Sequence, residues 1–428
     1  MPDIEDGIED RIEAANSEAL KRMLAAEPVL VDVVRAGDAI AGLEERTILH
    51  AGPPIAWDRM CGPMRGAICG IAVFEGWAAD LAAAERMAER GGFTFAPNHD
   101  FDCVGPMTGM TTVSQPLLVV ENRAFGNCAY CAINEGLGKV MRFGGNDAEV
   151  LDRLGWLRDG LAPLLGAALR HAGETGGGIE LSPLIARGLA MGDELHQRNV
   201  ACSSLFLRAV APHLAAVSTD SASLERAFAF IGGNDQFFLN IGMATGKAIT
   251  DPANGIADSS VVTAMSRNGT DFGIRVSGTG KQWFTAPVEM PAGLYFPGYS
   301  EADANPDMGD SAIVETIGLG GFAMGAAPAV AGFVGAGAAS DAGLYTRTMR
   351  EITVGDNPNW TIPAMDHAGV PTGIDIRLVV DANIAPTINT GIAHREPGIG
   401  QVGAGIARAP MACFRQALES FAKTVGVA

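Results

Sequence analysis

The chain has 428 residues, a formal net charge of −19 and 48% hydrophobic residues. That is enough apolar material for a folded protein of about two to three domains. Its acidity excludes nucleic acid and anionic membrane surfaces as partners, because both demand a positive footprint. A small anionic substrate is not excluded, since a few local arginines reverse the field inside a cleft.

The seven cysteines are scattered. An odd number without a secretory leader suits reduced thiols and a cytoplasmic setting. The Cys128/Cys131 pair has no companion at zinc spacing, and the acidic N-terminus is the opposite of a targeting peptide. Residues 316–340 carry no charge, but they are rich in Gly and Ala and contain Pro328. They are expected to form buried backbone rather than a membrane span.

In chain order, residues 8–26 have helical spacing. Two apolar runs follow, VLVDVVRAG and TILHAGPP, then a Gly-apolar stretch, GAICGIAVFEGW, leading into a helix over 77–92. FTFAP and QPLLVVEN read as strands on either side of a polar turn region, 97–110. Strand, turn and helix alternate to residue 145, an N-terminal α/β lobe. Asp147 is a cap for a helix whose leucines recur at three and four residues as far as Leu169. Ser182-Pro183 has the form of a cap with proline at the first helical position, and further helices are expected over 193–217, 223–231 and 234–250. Residues 146–252 therefore form a helical lobe. Short apolar runs split by Gly, Asn and Pro then return, and an amphipathic helix from Pro410 closes a C-terminal α+β lobe, 253–428. The fold class is multidomain α/β and α+β, with two such lobes flanking the central helical one.

The stretch Asn389–Gly405, NTGIAHREPGIGQVGAG, holds five glycines among polar side chains and no large apolar residue beyond isolated isoleucines and a valine. It is expected to be neither a core strand nor a packed helix, but one wall of an anion site with the final helix behind it. Its GIGQVG matches G-x-G-x-x-G formally, yet no βαβ unit fits around it, so a dinucleotide is excluded.

Similar polar, glycine-rich stretches hold most of the histidines and several arginines. Arg65, Arg142, Arg267 and Arg275 offer donor forks for carboxylate or phosphate. Asn134, Asn268 and Asn389 offer amides, Thr390 a hydroxyl, and Asn268 is the candidate to polarise a carbonyl. His50, His99, His196 and His394 are candidate proton carriers. The acidic residues near His99 and His196 match no metallohydrolase spacing, and Glu194/Arg198 has the form of a helical i,i+4 pair, so no metal is expected.

Taken together, LHAGPPIAWDRMCGPMRGA, NEGLGKVMRFG, MGDELHQRN, SRNGTDFGIRVSG, NPDMGDSAIVETIGLGGFAM and INTGIAHREPGIGQVGAG resemble the large subunit of oxamate carbamoyltransferase. The resemblance runs from near residue 10 to the C-terminus. One departure is Pro97-Asn98-His99, where that family more usually has Pro-Cys-His. The resemblance implies conversion of oxalurate and phosphate to oxamate and carbamoyl phosphate, a step of anaerobic allantoin degradation in purine catabolism, with no redox cofactor. It also implies a multi-subunit assembly with a smaller subunit and an acyl-CoA-synthetase-like subunit, and it is compatible with a homo-oligomer. The alternatives are an amidohydrolase or transferase acting on a related ureido or amide substrate, or a non-catalytic scaffold subunit.

Overall fold

The computed structural model describes residues 2–426 except 137 and 336. It is a mixed, multidomain α/β structure with several separate sheets. A five-stranded sheet runs in the order Cys103–Val104, Asn127–Ala132, Pro116–Asn122, Pro28–Arg35 and Ile179–Glu180. A parallel pair, Thr47–His50 with Thr94–Pro97, lies beside it. The helix Phe237–Thr250 packs across four strands of the larger sheet, and nearly every residue in it is buried.

Asp147 caps its helix, its carboxylate accepting from the Val150 amide at 3.1 Å. The apolar face continues through one π turn at Leu157–Leu161 into Ala162–Gly176, with Leu154, Leu161, Leu165 and Leu169 buried. Val200–Val217 is long and apolar enough to cross a membrane by length and composition, and it packs against the helices before it.

C-terminal to these helices, an antiparallel sheet takes the order Phe284–Pro287, Asp271–Val276, Val262–Asn268 and Met308–Gly309. A three-stranded sheet takes the order Ala292–Tyr295, Gln401–Arg408 and Thr387–Ala393. The final helix, Met411–Val425, buries Phe414, Ala417 and Phe421 beside the first of these sheets. The N-terminal helix, Pro2–Leu24, reaches the same region: the Asn16 amide donates to Ser260 at 2.8 Å and to Asp375 at 3.0 Å.

Several expectations need correction. The Asn389–Gly405 stretch is a β-hairpin with two largely buried strands, and the second strand separates its turn from the final helix. Small residues are the requirement here, because a Cβ at Gly405 would stand 2.6 Å from the Ala292 carbonyl and one at Gly403 would strike that of Leu294. The stretch before residue 77 is itself a helix, Gly62–Phe74. Gly62, Gly66 and Gly70 form a bare stripe on it, against which Arg395, Pro397, Gly144 and Asn146 pack; a Cβ at Gly66 would stand 2.7 Å from the Gly144 carbonyl. The next helix begins only at Leu81, after the Asp80 cap. The helix at Ser182-Pro183 starts at Leu181, and the Ser182 hydroxyl accepts from the Trp360 indole at 2.9 Å. Residues 193–199 are a loop, with Leu195 at φ 68°. The uncharged 316–340 run is continuously buried as far as Ala327; beyond it Val330, Ala331 and Val334 are buried while Phe333 is exposed.

Candidate active site

A cleft of about 420 Å³ opens between the 142–143, 196–200 and 390–401 segments. Arg142, His196, Arg198, Ser311, Thr390 and Gln401 are among its polar walls, and Leu239, Phe296, Val330 and Phe333 among its apolar ones.

The loop 193–199 is shaped by one carboxylate. Glu194 accepts from the backbone amides of His196 (3.2 Å), Gln197 (2.5 Å) and Arg198 (2.7 Å), and from the Asn389 side-chain amide (3.0 Å). Drawing three successive amides onto one side chain replaces helical bonding with a tight turn. The Arg198 side chain is therefore not paired with Glu194; its nearest carboxylate is buried Asp193, at 3.6 Å. Burial raises the Glu194 pKa to about 7, against the opposing pull of His196 and the donors.

That turn presents His196. Its Nδ1 lies 2.7 Å from Glu315 Oε1, which also accepts from the backbone amides of Gly321 (3.1 Å) and Asn389 (3.2 Å). With Nδ1–H donated to Glu315, Nε2 is the nitrogen left for chemistry, and no described side chain hydrogen-bonds it. This is a base oriented by a buried carboxylate.

Arg142 supplies charge. It is buried, and its guanidinium donates only to neutral oxygens: Asn134 Oδ1 at 3.3 Å and the Gly136 carbonyl at 2.6 Å. The adjacent Glu135 turns its carboxylate to the backbone amides of Met141 (2.7 Å) and Arg142 (3.0 Å). Burial lowers the Arg142 pKa against the opposing field of buried Glu135, whose carboxylate is spent on backbone amides and makes no direct ion pair with the guanidinium. A buried cation with no carboxylate in direct contact, at a cleft wall, is suited to hold an anion.

The other arginines are already engaged. Arg267 is fully buried and makes five bonds: two to Asp307 (2.7 and 3.1 Å), and one each to the Gly309 carbonyl (2.7 Å), Ser311 Oγ (3.2 Å) and Thr390 Oγ1 (3.3 Å). Every guanidinium N–H is accounted for. Arg275 pairs with Asp100 and lies over the Trp283 ring at 4.3 Å. Arg65 lies over Trp57 at 5.3 Å and donates to the Asp58 carbonyl at 2.8 Å.

The structure thus brings Arg142, His196 and Thr390 together at the cleft, with Asn134 and Asn389 immediately behind them. The Thr390 hydroxyl is held by Asp307 at 2.7 Å, which makes it a support for the wall. Asn268 is a turn residue: its Oδ1 accepts from the amides of Thr270 (3.1 Å) and Asp271 (2.7 Å), and its Nδ2 donates to the Pro53 carbonyl (2.9 Å). His50 and His99 are buried, and burial pushes His50 down to about 4 and His99 well below its ordinary range. His99 belongs to a cluster around Asp310, whose carboxylate takes the Gly52 and Gly105 amides, Asn98 and Ser266. His394 accepts from the Glu396 amide at 2.9 Å on the hairpin, outside the cleft lining.

Sequence reasoning passed over Glu315, Arg198, Ser311 and Gln401. All four lie inside the glycine-rich motifs. Glu315 carried one further signal, as the charge standing directly before a long uncharged run. Among the described residues, no group of three or more His, Cys, Asp or Glu is placed to hold a metal ion.

A family described as oxamate carbamoyltransferase subunit AllG matches residues 93–311. The Escherichia coli (strain K12) protein named oxamate carbamoyltransferase subunit AllG is 51% identical over 414 residues, 96% of this chain and 98% of that protein. The chain belongs to this family. A second protein of the same strain, the uncharacterized YahG, is 45% identical over 418 residues, 98% of this chain and 88% of its own length. A crystal structure of a conserved protein of unknown function from Enterococcus faecalis V583 matches with a TM-score of 0.95 and 45% identity, covering 98% of this chain and 99% of that one. The family match contains Arg142, His196, Arg198 and Ser311; Glu315, Thr390 and Gln401 lie beyond it, within the span of the longer relatives.

Proposed function

We propose that this chain is the catalytic large subunit of a carbamoyltransferase, interconverting oxalurate plus phosphate with oxamate plus carbamoyl phosphate. One observation carries the reading: the unpaired buried guanidinium of Arg142 and the Glu315-oriented imidazole of His196 share one cleft. The reaction brings two anions together, so a cation whose direct bonds go only to neutral oxygens is what the acidic protein has to supply there.

A phosphate oxygen attacks the ureido carbonyl carbon, forming a C–O bond and placing the carbonyl electron pair on oxygen. Ser311 is the hydroxyl available to meet that oxyanion, because its oxygen already accepts from Arg267 and its proton is free to point into the cleft. His196 Nε2 takes the proton of the attacking hydrogen phosphate, collapse breaks the C–N bond, and the departing amide nitrogen receives that proton back from Nε2. Arg142 and Arg198 hold the carboxylate and phosphate, and water supplies no atom. We read residues 1–145, 146–252 and 253–428 as the three lobes that meet at this cleft. A smaller subunit and an acyl-CoA-synthetase-like subunit are the proposed cytoplasmic partners.

A second reading is action on a related ureide or amide, for which the same cation, base and hydroxyl would serve. The test is phosphate-dependent oxamate formation from oxalurate by the chain alone and with its partner subunits. Turnover that requires phosphate supports the transferase. Product release without phosphate supports the second reading, and no turnover in any combination overturns both.

A further inference from the structure

Among the side chains lining the cleft, Gln401 is held in an unusual way. It opens the second strand of the hairpin where the register with the first is broken: Ile392 pairs with Gly403 and Ala393 with Gln401, leaving Val402 as the extra residue of a bulge. Bulges bend a strand locally and re-aim the side chains beside them. The Gln401 side chain turns back so that Nε2 donates to the Gly403 carbonyl at 2.9 Å. It also lies flat against Gly391 on the facing strand, where an added Cβ would stand 3.1 Å from Nε2 and 3.4 Å from Cδ. Gln401 and Gly391 both line the cleft.

This anchoring fixes the direction of the amide. A carbonyl accepts only from the NH₂ end, so Oε1 is the end left over, and no described donor meets it. Gln236, the other glutamine whose bonds are defined at this cleft, is engaged at both ends: its Nε2 donates to the Gln197 carbonyl at 2.6 Å and its Oε1 accepts from Asn199 at 3.0 Å. Gln401 therefore presents a pre-oriented acceptor in the cleft that also holds Arg142, His196 and Ser311.

We infer that Gln401 is the specificity-determining residue for the carbamoyl group, its Oε1 accepting an N–H from the H₂N–C(=O)– unit that moves between phosphate and oxamate. The inference rests on the carbamoyl-transfer reading. A methyl group in place of that NH₂ leaves the Gln401 oxygen without a donor, and a carboxylate oxygen sets two acceptors against each other. Sites built around one such hydrogen bond reject analogues that lack it.

The experiment uses the assembled enzyme with oxamate as acceptor, and compares kcat/KM for carbamoyl phosphate with the inhibition constant of acetyl phosphate. In Gln401→Met the preference for carbamoyl phosphate falls by about 10- to 100-fold, because carbamoyl phosphate weakens while acetyl phosphate does not. Gly391→Ala is the second variant. Its Cβ meets only the movable end of Gln401, so the hairpin is kept while the amide is displaced, and the preference moves in the same direction. A preference unchanged in both variants, or equal weakening of both phosphates, overturns the assignment of Gln401 alone. Absence of transfer from carbamoyl phosphate in the unmodified assembly overturns the underlying reading, and the assignment with it.

Discussion

The cleft at Arg142 and the buried cluster at Asp310 are made of the same residue types, and the segment 307–311 serves both. Ser311 faces the cleft and Asp310 anchors the cluster, while Asp307 pairs with Arg267 between them. In the cluster region the charges are answered from within: Asp310 by backbone amides, Asn98 and Ser266, Arg275 by Asp100, and Arg267 by Asp307. At the cleft, Arg142 meets only neutral oxygens and His196 keeps one nitrogen free of protein partners. Both regions are polar, glycine-rich and buried. What separates a site from a structural knot is the charge left over when internal partners have been assigned.

The strongest way to break that comparison is to exchange the fates of two arginines. Arg267→Met strands Asp307 in the interior, and loss of one partner from a buried pair costs about 3–5 kcal/mol. The expected result is a chain with a sharply lowered denaturation midpoint or none in the soluble fraction. Arg142→Met breaks no direct ion pair, and Glu135, which loses the field of Arg142, keeps its two backbone amides. The variant keeps its midpoint and loses about 10²–10³ in kcat/KM, the scale of removing one preorganised electrostatic donor. Denaturant melts and steady-state kinetics on the two variants decide it, and reversed outcomes would mean that internal charge pairing does not mark the site.

Next in size is the proton carrier. His196→Gln lowers kcat by about 10²-fold, while the same change at His99 leaves kcat within about threefold, since general acid–base groups contribute 10²–10⁴. Glu315→Gln retains a bond to the imidazole but removes the charge behind it, and its kcat falls between the two. Rate measurements across this series separate a histidine that faces the cleft from one closed into the cluster.

The helical part of the fold was open to reading because its signals are local. Leucines at three and four residues mark the face that Leu154, Leu161, Leu165 and Leu169 bury, and Asp147 marks its start. The hairpin 387–408 was hidden because glycines and alanines break up its apolar pattern, Gly403 and Gly405 being there to let the backbone at 292–295 approach. The glycine stripe Gly62/Gly66/Gly70 has meaning only beside Asn146 and Pro397, which no window around residue 66 contains. The 193–199 loop resembled a helix because its polar spacing says nothing of a carboxylate collecting three amides. Of the candidates the motifs named, Arg142, His196 and Thr390 line the cleft, while Arg267 and Arg275 are engaged by internal carboxylates. Telling them apart required Asp307 and Asp100, partners far along the chain from Arg267 and Arg275.

Glu194 sharpens the comparison through pH. Its carboxyl is raised from 4.5 to about 7 by burial, so the folded chain holds this proton after the unfolded chain has released it. Stability therefore falls as pH rises from about 4.5 to about 7, and the contribution is constant above that. Glu194→Gln has nothing to ionise. The difference in denaturation midpoint between the original chain and the variant should drift across that window and level off beyond it. A difference independent of pH would show that the four donors hold Glu194 ionised throughout.

The smallest effect expected is also the one that fixes the cleft's outer limit. Arg65 was as strong a candidate as Arg142 by sequence, since both stand in glycine-rich stretches. In the structure its guanidinium lies over the Trp57 ring and donates to the Asp58 carbonyl, on a helix face outside the cleft lining. A partly exposed cation–π contact is worth about 0.5–1 kcal/mol, so Arg65→Ala should lower stability by about that much and leave kcat/KM within about twofold. The charge it removes is nevertheless positive, on a chain with a net charge of −19. If long-range attraction of anionic substrates mattered, the variant would lose kcat/KM at low salt and recover it at high salt. A loss near tenfold at every ionic strength would instead mean that the anion site extends from Arg142 along the Gly62–Phe74 helix to Arg65.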